Sequence, residues 1–221
     1  NLIDIKDDGS FSLDMSYFNY CVGLTMTNNK FNKLFGGNRR LPETNITQKE
    51  MDLAASIQLV TEEVILKICK YIKKETNLNN LCLSGGVALN CVANGKILKE
   101  KIFENIWIQP ASGDAGGALG AALAVKYLEK KNKRNLNQKI DLMSGSYLGP
   151  RYDENQINEY LKSVNANYNK YSYEEVITKT AKFLSNGKAI GWMNGRMEYG
   201  PRALGNRSII ADPRSEQMQK Q

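Results

Sequence analysis

The sequence predicts an α/β protein, because short apolar runs alternate with helical patterns along the chain. Residues 81–84 and 106–108 form apolar runs of the kind found in buried strands. Glycine-containing turns join these runs to helical patterns over residues 87–99 and 115–130. We therefore expect a strand–turn–helix unit to occur twice in the middle of the chain.

Two capping boxes mark the starts of further helices. Thr47 with Glu50, and Ser172 with Glu175, place a hydroxyl at the N-cap and a carboxylate three residues later. After Thr47, apolar residues recur every three or four positions and predict one buried stripe, made by Leu53, Ile57, Val60, Val64, Ile68 and Ile72. Charged residues, Glu62 among them, are expected on the other faces of this helix.

Two less regular segments flank these elements. Residues 1–45 carry scattered aromatic residues and predict short extended pieces that cannot form a core alone. Residues 131–146 are rich in Asn and Lys and predict a linker. Beyond the linker, the sequence predicts a helix from Asp153, a strand over 189–193, a hairpin-type turn at Asn194 and Gly195, and a strand over 207–212.

The composition is that of an ordinary soluble protein with a basic excess. Its 221 residues carry 30 Lys and Arg against 23 Asp and Glu, which gives a formal charge of +7. The excess lies on helix faces and in residues 130–134, and it lacks the interleaved aromatic residues of a nucleic-acid surface. No run approaches the ~20 apolar residues that a membrane span requires. We therefore expect no membrane partner and disfavour a nucleic-acid partner.

The numbers and spacing of cysteine and histidine limit the kinds of metal, disulfide and acid–base sites that the chain can form. The four cysteines, Cys21, Cys69, Cys82 and Cys91, have no CxxC spacing and predict buried, reduced thiols in a cytoplasmic protein. The chain contains no histidine, which removes the commonest general base and metal ligand. It begins with Asn1 rather than Met, so we expect it to be a piece of a longer protein.

The first glycine-rich turn has the sequence SGGVALN, from Ser84 to Asn90. Its glycines permit close backbone approach, and free N–H groups at a helix start attract anions. Asn90, one turn into the predicted helix, could hydrogen-bond a ribose or a base. The alternative is a tight strand–helix turn with Asn90 on the surface, and these residues alone favour that alternative.

The second glycine-rich turn has the sequence GDAGGALG, from Gly113 to Gly120. Three glycines follow Asp114 in the predicted helix, and each costs ~1 kcal/mol relative to alanine. Close packing or the approach of a ligand would offset that cost. Asp114 is therefore either a ligand for a metal or phosphate-bound Mg²⁺, or the N-cap of a tightly packed helix.

The third motif, GRMEYGPRALGNRSIIADPR from Gly195 to Arg214, concentrates arginine and glycine. The guanidinium group of arginine binds phosphate through two hydrogen bonds, so this run predicts an anion-binding site. Three arginines would clamp the anion and two polar side chains would assist: Arg196, Arg202, Arg207, Ser208 and Asn206. The alternative is a turn flanked by solvated arginines. For Glu198, a structural salt bridge is the favoured role.

In this order, the three motifs resemble those of the O-carbamoyltransferases of nodulation and antibiotic biosynthesis. The matching segments are LCLSGGVALNCVANGKIL, IWIQPASGDAGGALGAAL and GWMNGRMEYGPRALGNRSIIADPR. The lead-in DGSFSLDMSYFNY and the helix DLAASIQLVTEEV are similar to that family as well. The likeness covers nearly the whole chain and is specific in combination, so it outweighs the alternatives above.

The resemblance implies an α/β fold in two parts. Residues 1–143 would be the C-terminal lobe of a transferase domain with an actin/Hsp70-like fold (ASKHA, Kae1-like). Residues 144–221 would be the N-terminal part of a YrdC-like α/β domain that forms carbamoyl-adenylate. Both domains would be incomplete here.

The implied activity has two steps. The smaller domain would convert carbamoyl phosphate and ATP into carbamoyl-adenylate, and the larger domain would transfer the carbamoyl group to a hydroxyl of a small acceptor. The matching positions are Gly85, Gly86, Val87 and Asn90 for the nucleotide, Arg196, Arg202, Arg207 and Ser208 for phosphate or carbamoyl-adenylate, and Asp114 for a divalent metal, Fe²⁺ or Mg²⁺. No catalytic residue is identified.

The chain departs from the family in one respect that bears on activity. The family's other metal ligands are histidines of an HxxxH-type motif in the first lobe, and this chain has neither histidine nor that lobe. We therefore expect this piece to be inactive without the missing N-terminal lobe of the same protein. The acceptor, the metal and the oligomeric state stay open, with a homodimer as one option.

Two other interpretations stay open. A tRNA threonylcarbamoyladenosine-type enzyme would fit the basic charge, although the fused GPRALGNRS segment and aromatic lead-in are features of the small-molecule carbamoyltransferases. A non-catalytic nucleotide-binding or interaction half would fit the incomplete domains.

Overall fold

The computed structural model describes residues 2–134, 141–216 and 218. Their regular structure consists mainly of short strands and α-helices. The strands are β1 (Ile3–Ile5), β2 (Phe11–Leu13), β3 (Asn80–Leu83), β4 (Asn105–Ile108), β5 (Ile190–Met193) and β6 (Arg207–Ile210). The α-helices are α1 (Asn29–Leu34), α2 (Gln48–Thr76), α3 (Cys91–Glu100), α4 (Asp114–Ala124), α5 (Glu154–Ser163) and α6 (Tyr173–Ser185).

The chain separates into two compact units. The first unit comprises the residues up to Leu83 together with Val87–Ile108, and the second comprises Ser84–Gly86 together with the residues from Gln109 onward. The domain boundary expected between residues 143 and 144 stays a prediction. Part of the predicted linker, residues 135–140, lies outside the described residues.

The long helix α2 begins at the predicted capping box. The backbone N–H of Thr47 donates to the Glu50 carboxylate at 2.9 Å, and the reciprocal bond from the N3 backbone is also present. The predicted apolar stripe is buried at Val64, which is 8% exposed, but Ile57 is 64% exposed. Glu62, expected on a solvated face, is only 4% exposed. The stripe prediction is therefore wrong at Ile57, and the solvated position predicted for Glu62 is wrong because Glu62 pairs with Lys96 of the helix Cys91–Glu100.

A β–α–β unit forms the core of the first unit. The parallel strands β3 and β4 pair in the register Leu81 to Ile106, and α3 connects them. One cluster of buried core residues consists of Cys69, Leu81, Ile97 and Phe103. Burial raises the pKa of the Cys69 thiol. The other three cysteines are exposed, so the prediction of burial is wrong for them.

The helix predicted over residues 87–99 is broken near its start. A 3₁₀ turn covers Gly86–Leu89, and α3 begins only after Asn90. Asn90 is the N-cap of α3, where its side-chain oxygen accepts a hydrogen bond from the N–H of Ala93 at 3.1 Å. Asn90 therefore precedes the helix instead of lying one turn inside it.

The N-terminal hairpin packs directly on α2. β1 and β2 pair antiparallel, and Gly9 lies in the turn between them with φ +84°. A Cβ on Gly9 would lie 2.5 Å from the backbone nitrogen of Ile68, so only glycine allows this approach. The expected extended pieces thus gain their stability from the long helix.

In the second unit, β5 and β6 form an antiparallel pair with Ile190 opposite Ile210. The tight hairpin predicted at Asn194 is absent, because residues 194–206 form a long loop. A hydrogen bond of 2.9 Å from the N–H of Asn194 to the Asn206 carbonyl closes the loop at its base. No helix in the described ranges is long and apolar enough to cross a lipid bilayer.

Replacing Ile97 by alanine should lower the free energy of unfolding by about 2–5 kcal/mol, because the side chain is fully buried and the variant leaves a cavity. Urea unfolding followed by circular dichroism measures this loss. The adjacent Leu98 is 65% exposed. Leu98→Ala should therefore change stability by no more than about 0.5 kcal/mol. Equal losses in the two variants would contradict the assigned core.

Candidate functional site

A buried carboxylate organises the loop that carries the predicted arginines. We name residues 194–207, which comprise the connection between β5 and β6 and the first residue of β6, the arginine loop. Glu198 is 3% exposed, and its Oε1 accepts hydrogen bonds from the backbone N–H groups of Leu204 and Asn206 at 2.8 Å and of Arg207 at 3.2 Å. The loop therefore closes around a single oxygen atom.

The expected salt bridge of Glu198 is weak compared with these backbone bonds. Arg207 Nε lies 4.0 Å from Glu198 Oε2, and that oxygen has no hydrogen-bond partner among the described residues. Burial raises the pKa of Glu198, but the backbone donors outweigh burial and hold the pKa at about 2. Glu198 is thus ionised at neutral pH, and its main role is to accept from the backbone.

The three predicted phosphate-binding arginines differ in how they are held. Arg196 donates to the carbonyl of Gly149 at 2.8 Å, and Arg207 donates to the carbonyl of Gly200 at 3.3 Å. Arg202 is exposed and makes no hydrogen bond or ion pair within the part of the chain that the structure describes. Two guanidinium groups are therefore braced by backbone, and the third is available to an anion.

The two polar residues predicted beside the arginines support the loop. Asn206 donates through Nδ2 to the Arg196 carbonyl at 2.8 Å. Ser208 accepts from the N–H of Gly205 at 3.2 Å. Ser208 keeps its hydroxyl proton for another acceptor, since it uses only a lone pair in this contact.

The arginine loop docks on the start of α4. The Tyr199 hydroxyl donates to the carbonyl of Ala115 at 2.5 Å. Gly200 approaches Ala111 so closely that a Cβ would lie 2.9 Å from the Ala111 Cβ. Ser146, which is fully buried, holds Tyr199 through two hydrogen bonds of 2.6 Å. The second and third sequence motifs therefore meet in the second unit.

The N-terminus of α4 also contacts the first glycine-rich turn. The N–H of Gly85 donates to the carbonyl of Ser112 at 2.9 Å. Ser112 is 4% exposed, and its hydroxyl has no hydrogen-bond partner among the described residues. Gly113 is the N-cap and offers no side chain, so the first N–H groups of α4 gain no side-chain cap. These groups together can bind an anion.

Only one of the three glycines in α4 is explained by packing. A Cβ on Gly116 would lie 2.1 Å from the Ala111 carbonyl oxygen, which excludes any larger residue. Gly117 and Gly120 have no neighbouring atom within 4 Å of such a Cβ. Close packing therefore accounts for Gly116 alone, and the approach of a ligand stays a prediction for Gly117 and Gly120.

Asp114 does not form a metal centre with the residues that the structure describes. It is exposed at the first position of α4. No group of three or more His, Cys, Asp or Glu side chains suited to a metal ion occurs in the described ranges. A single exposed carboxylate does not supply the ligand set of a bound Fe²⁺ or Mg²⁺.

The other predicted nucleotide-binding residues lie in the first unit. Val87 is 60% exposed in the 3₁₀ turn. Asn90 pairs with Gln58 of α2, which in turn contacts Glu62. Sequence reasoning missed this pairing, because the apolar periodicity of α2 predicted a solvated position for Glu62. A separate cavity of about 670 Å³ in this unit is lined mainly by Asn and Thr and contains none of the predicted site residues.

Family models cover both ends of the chain. A model described as "Carbamoyltransferase N-terminus" matches residues 1–123, more than half of the chain. The chain belongs to the carbamoyltransferase family. A second model, described as "Carbamoyltransferase C-terminus", matches residues 181–221 of this family member and includes the whole arginine loop.

Curated relatives of this carbamoyltransferase family member include bacterial nodulation proteins. An uncharacterized protein of Synechocystis sp. is 58% identical over 99% of this chain, which covers 36% of that protein. Nodulation protein NolO of Bradyrhizobium diazoefficiens is 39% identical over 76% of this chain and 30% of its own length. Nodulation protein U of Azorhizobium caulinodans is 29% identical over 77% of this chain and 28% of its own length. The chain spans about a third of the length of these relatives.

Replacing Glu198 by glutamine should remove part of the pH dependence of stability. Its folded-state pKa of about 2 lies below the usual 4.5, so the ionised group stabilises the fold above that usual value. This stabilisation is lost as the pH falls toward 2. We expect the variant to melt below the parent protein at neutral pH and to approach it in acid. A difference in melting temperature that does not change with pH would contradict this role, and Glu159→Gln, at an exposed position, is the control.

Alanine substitutions at two glycines should separate packing from backbone strain. Gly200 and Gly205 have nearly the same φ, +104° and +105°, but only Gly200 has a close neighbour. In both variants the new alanine must adopt a backbone conformation with positive φ, which strains a residue that has a Cβ. Gly200→Ala should lose about 1–3 kcal/mol more than Gly205→Ala, because its Cβ meets Ala111. Chemical unfolding measures the two losses, and equal values would argue against docking of the loop on Ala111.

Proposed function

We propose that this chain is part of an O-carbamoyltransferase that forms carbamoyl-adenylate from carbamoyl phosphate and ATP. The carbamoyl group then passes to a hydroxyl of a small-molecule acceptor. Membership of the carbamoyltransferase family supports the reaction class. The docking of the arginine loop on the uncapped N-terminus of α4 is the observation that carries the phosphate chemistry.

The first step requires several phosphates to be held together. One water molecule splits carbamoyl phosphate into carbamate and phosphate. A carbamate oxygen then attacks the α-phosphorus of ATP, and the bond to pyrophosphate breaks. Negative charge builds up on the phosphate oxygens in this transition state, and fixed positive groups stabilise it. Arg202 would contact these oxygens directly, and Arg196 and Arg207 would add charge from braced positions.

The start of α4 would bind a further phosphate oxygen. The Ser112 hydroxyl is buried without a partner, and a phosphate oxygen would satisfy it. The glycine-rich turn at Gly85 and Gly86 lies beside Ser112, so its backbone permits close approach of a ligand. The helix N-terminus adds a favourable field for negative charge.

The second step breaks the bond between the carbamoyl carbon and AMP. The acceptor oxygen attacks the carbamoyl carbon, AMP leaves as the phosphate anion, and the hydroxyl proton passes to solvent or to AMP. The residues of this chain would hold the AMP phosphate during transfer. We assign no step to a metal, because the described residues do not form a metal centre.

We extend the proposal to the architecture and the partners of the complete protein. The first 143 residues would belong to an actin/Hsp70-like transferase domain and the remainder to a YrdC-like domain. The β–α–β unit around β3 and β4 is compatible with the former. An N-terminal lobe of the same polypeptide would complete the transferase site, and the protein would act in the cytoplasm.

Replacing Arg202 by alanine should lower kcat/KM for ATP by about 100-fold in the full-length protein. Its side chain supports no described contact, so the fold should be unaffected. Arg202→Lys should give a kcat/KM between those of the parent protein and Arg202→Ala. Lysine keeps the positive charge but cannot form the paired hydrogen bonds of a guanidinium group. The assay is pyrophosphate release from ATP in the presence of carbamoyl phosphate.

Arg40→Ala is the matched control for loss of a guanidinium group. Arg40 donates to the carbonyls of Leu41 and Thr44 in a loop of the first unit. Its removal should leave the rate unchanged. A full-length protein that releases no pyrophosphate under these conditions would refute the proposed first step.

A further inference from the structure

A buried carboxylate in the first unit lies at one end of a series of side-chain amides that leads to Asn90. Glu62 is 4% exposed and accepts a hydrogen bond from Gln58 Nε2 at 2.7 Å, while its second oxygen pairs with the ammonium of Lys96 on α3. Hydrogen bonds from Lys96 and Gln58 hold the pKa of Glu62 below its usual value. Gln58 pairs with Asn90 through two hydrogen bonds, of 2.8 and 3.3 Å.

The ionised carboxylate determines which way each amide points. A carboxylate accepts hydrogen bonds and cannot donate them, so Gln58 must turn its NH₂ group toward Glu62. The oxygen of Gln58 then faces Asn90 and accepts from Asn90 Nδ2 at 2.8 Å. At the far end, the N–H of Ala93 donates to Asn90 Oδ1 at 3.1 Å, which requires the same orientation.

One N–H group of the Asn90 side chain has no acceptor among the described residues. An amide NH₂ group has two N–H donors, and Gln58 accepts from one of them. The other has no acceptor among the residues described by the structure. Asn90 Oδ1, in contrast, already accepts from Ala93 and Gln58. Asn90 is therefore presented to a ligand as a donor, which suits an oxygen of a phosphate or a ribose.

We propose that Glu62 and Gln58 are positioning residues that hold Asn90 as a hydrogen-bond donor toward an oxygen of the bound nucleotide. This inference rests on the proposed function and on the family resemblance, which implies that Asn90 belongs to the nucleotide-binding turn. Lys96 balances the charge of Glu62, so the buried anion is not left unpaired. Without the carboxylate, Gln58 is free to turn over, and the bond from the N–H of Ala93 then remains to orient the Asn90 amide without support from Gln58.

The test is Glu62→Gln in the full-length protein, with ATP binding measured by titration calorimetry. We expect the Kd for ATP to rise about tenfold, the effect of losing one well-placed hydrogen bond. Glu63→Gln is the matched control. Its side chain is 53% exposed and pairs with Lys67 at 3.1 Å, so the same change at the next residue should leave the Kd unaltered.

A second variant, Gln58→Met, tests the same inference if Glu62→Gln fails to fold. Gln58→Met keeps the length of the side chain and removes its amide, and Gln58 is only half-buried. It should raise the Kd for ATP to a similar extent. Unchanged ATP binding in both variants would overturn the inference while leaving the proposed function intact.

A double-mutant cycle distinguishes positioning from a general structural role. Asn90→Asp keeps an oxygen to cap α3 but removes the donor. If Glu62 acts through Asn90, Glu62→Gln should weaken ATP binding no further in the Asn90→Asp background, whereas additive losses would overturn the proposal. Failure of the parent protein to bind ATP would instead refute the proposed function, together with the ligand assigned to Asn90.

Discussion

The Glu198 carboxylate organises the arginine loop, and the candidate site depends on that organisation. Its Oε1 gathers three backbone N–H groups that would otherwise be unpaired in a tight, glycine-rich loop. The next two residues dock the loop elsewhere, because Tyr199 bonds to Ala115 in α4 and Gly200 lies against Ala111 just before that helix. One buried charge therefore sets both the internal shape of the loop and the place where it docks.

The two units use the same physical device for different purposes. Glu198 receives backbone donors and shapes a loop, whereas Glu62 receives side-chain donors and orients amides. At Glu62, the acceptor-only carboxylate also fixes the direction of the Gln58 amide, which can both donate and accept. The cost of burying Glu198 is offset by three backbone hydrogen bonds, whereas the cost of burying Glu62 is offset by the ion pair with Lys96 and the hydrogen bond from Gln58.

Features encoded within a few residues could be predicted from the sequence, and features that depend on distant partners could not. The capping boxes at Thr47 and Ser172 and the strands around Leu81 and Ile106 are local signals, and the structure has them. The buried carboxylate of Glu62 pairs with Lys96, 34 positions further along the chain. The bond from Tyr199 to α4 spans 84 positions. The predicted hairpin failed for a related reason, since nothing near Asn194 shows that Glu198 will collect the backbone donors that follow.

The exposed cysteines have a practical consequence. Cys91 is the first residue of α3, directly after Asn90, and its thiol is exposed, whereas Cys69 is enclosed in the core. A thiol-reactive fluorophore can therefore enter beside the amide network at a native side chain. With Cys21 and Cys82 replaced by serine, such a label would give an optical report of events at the start of α3.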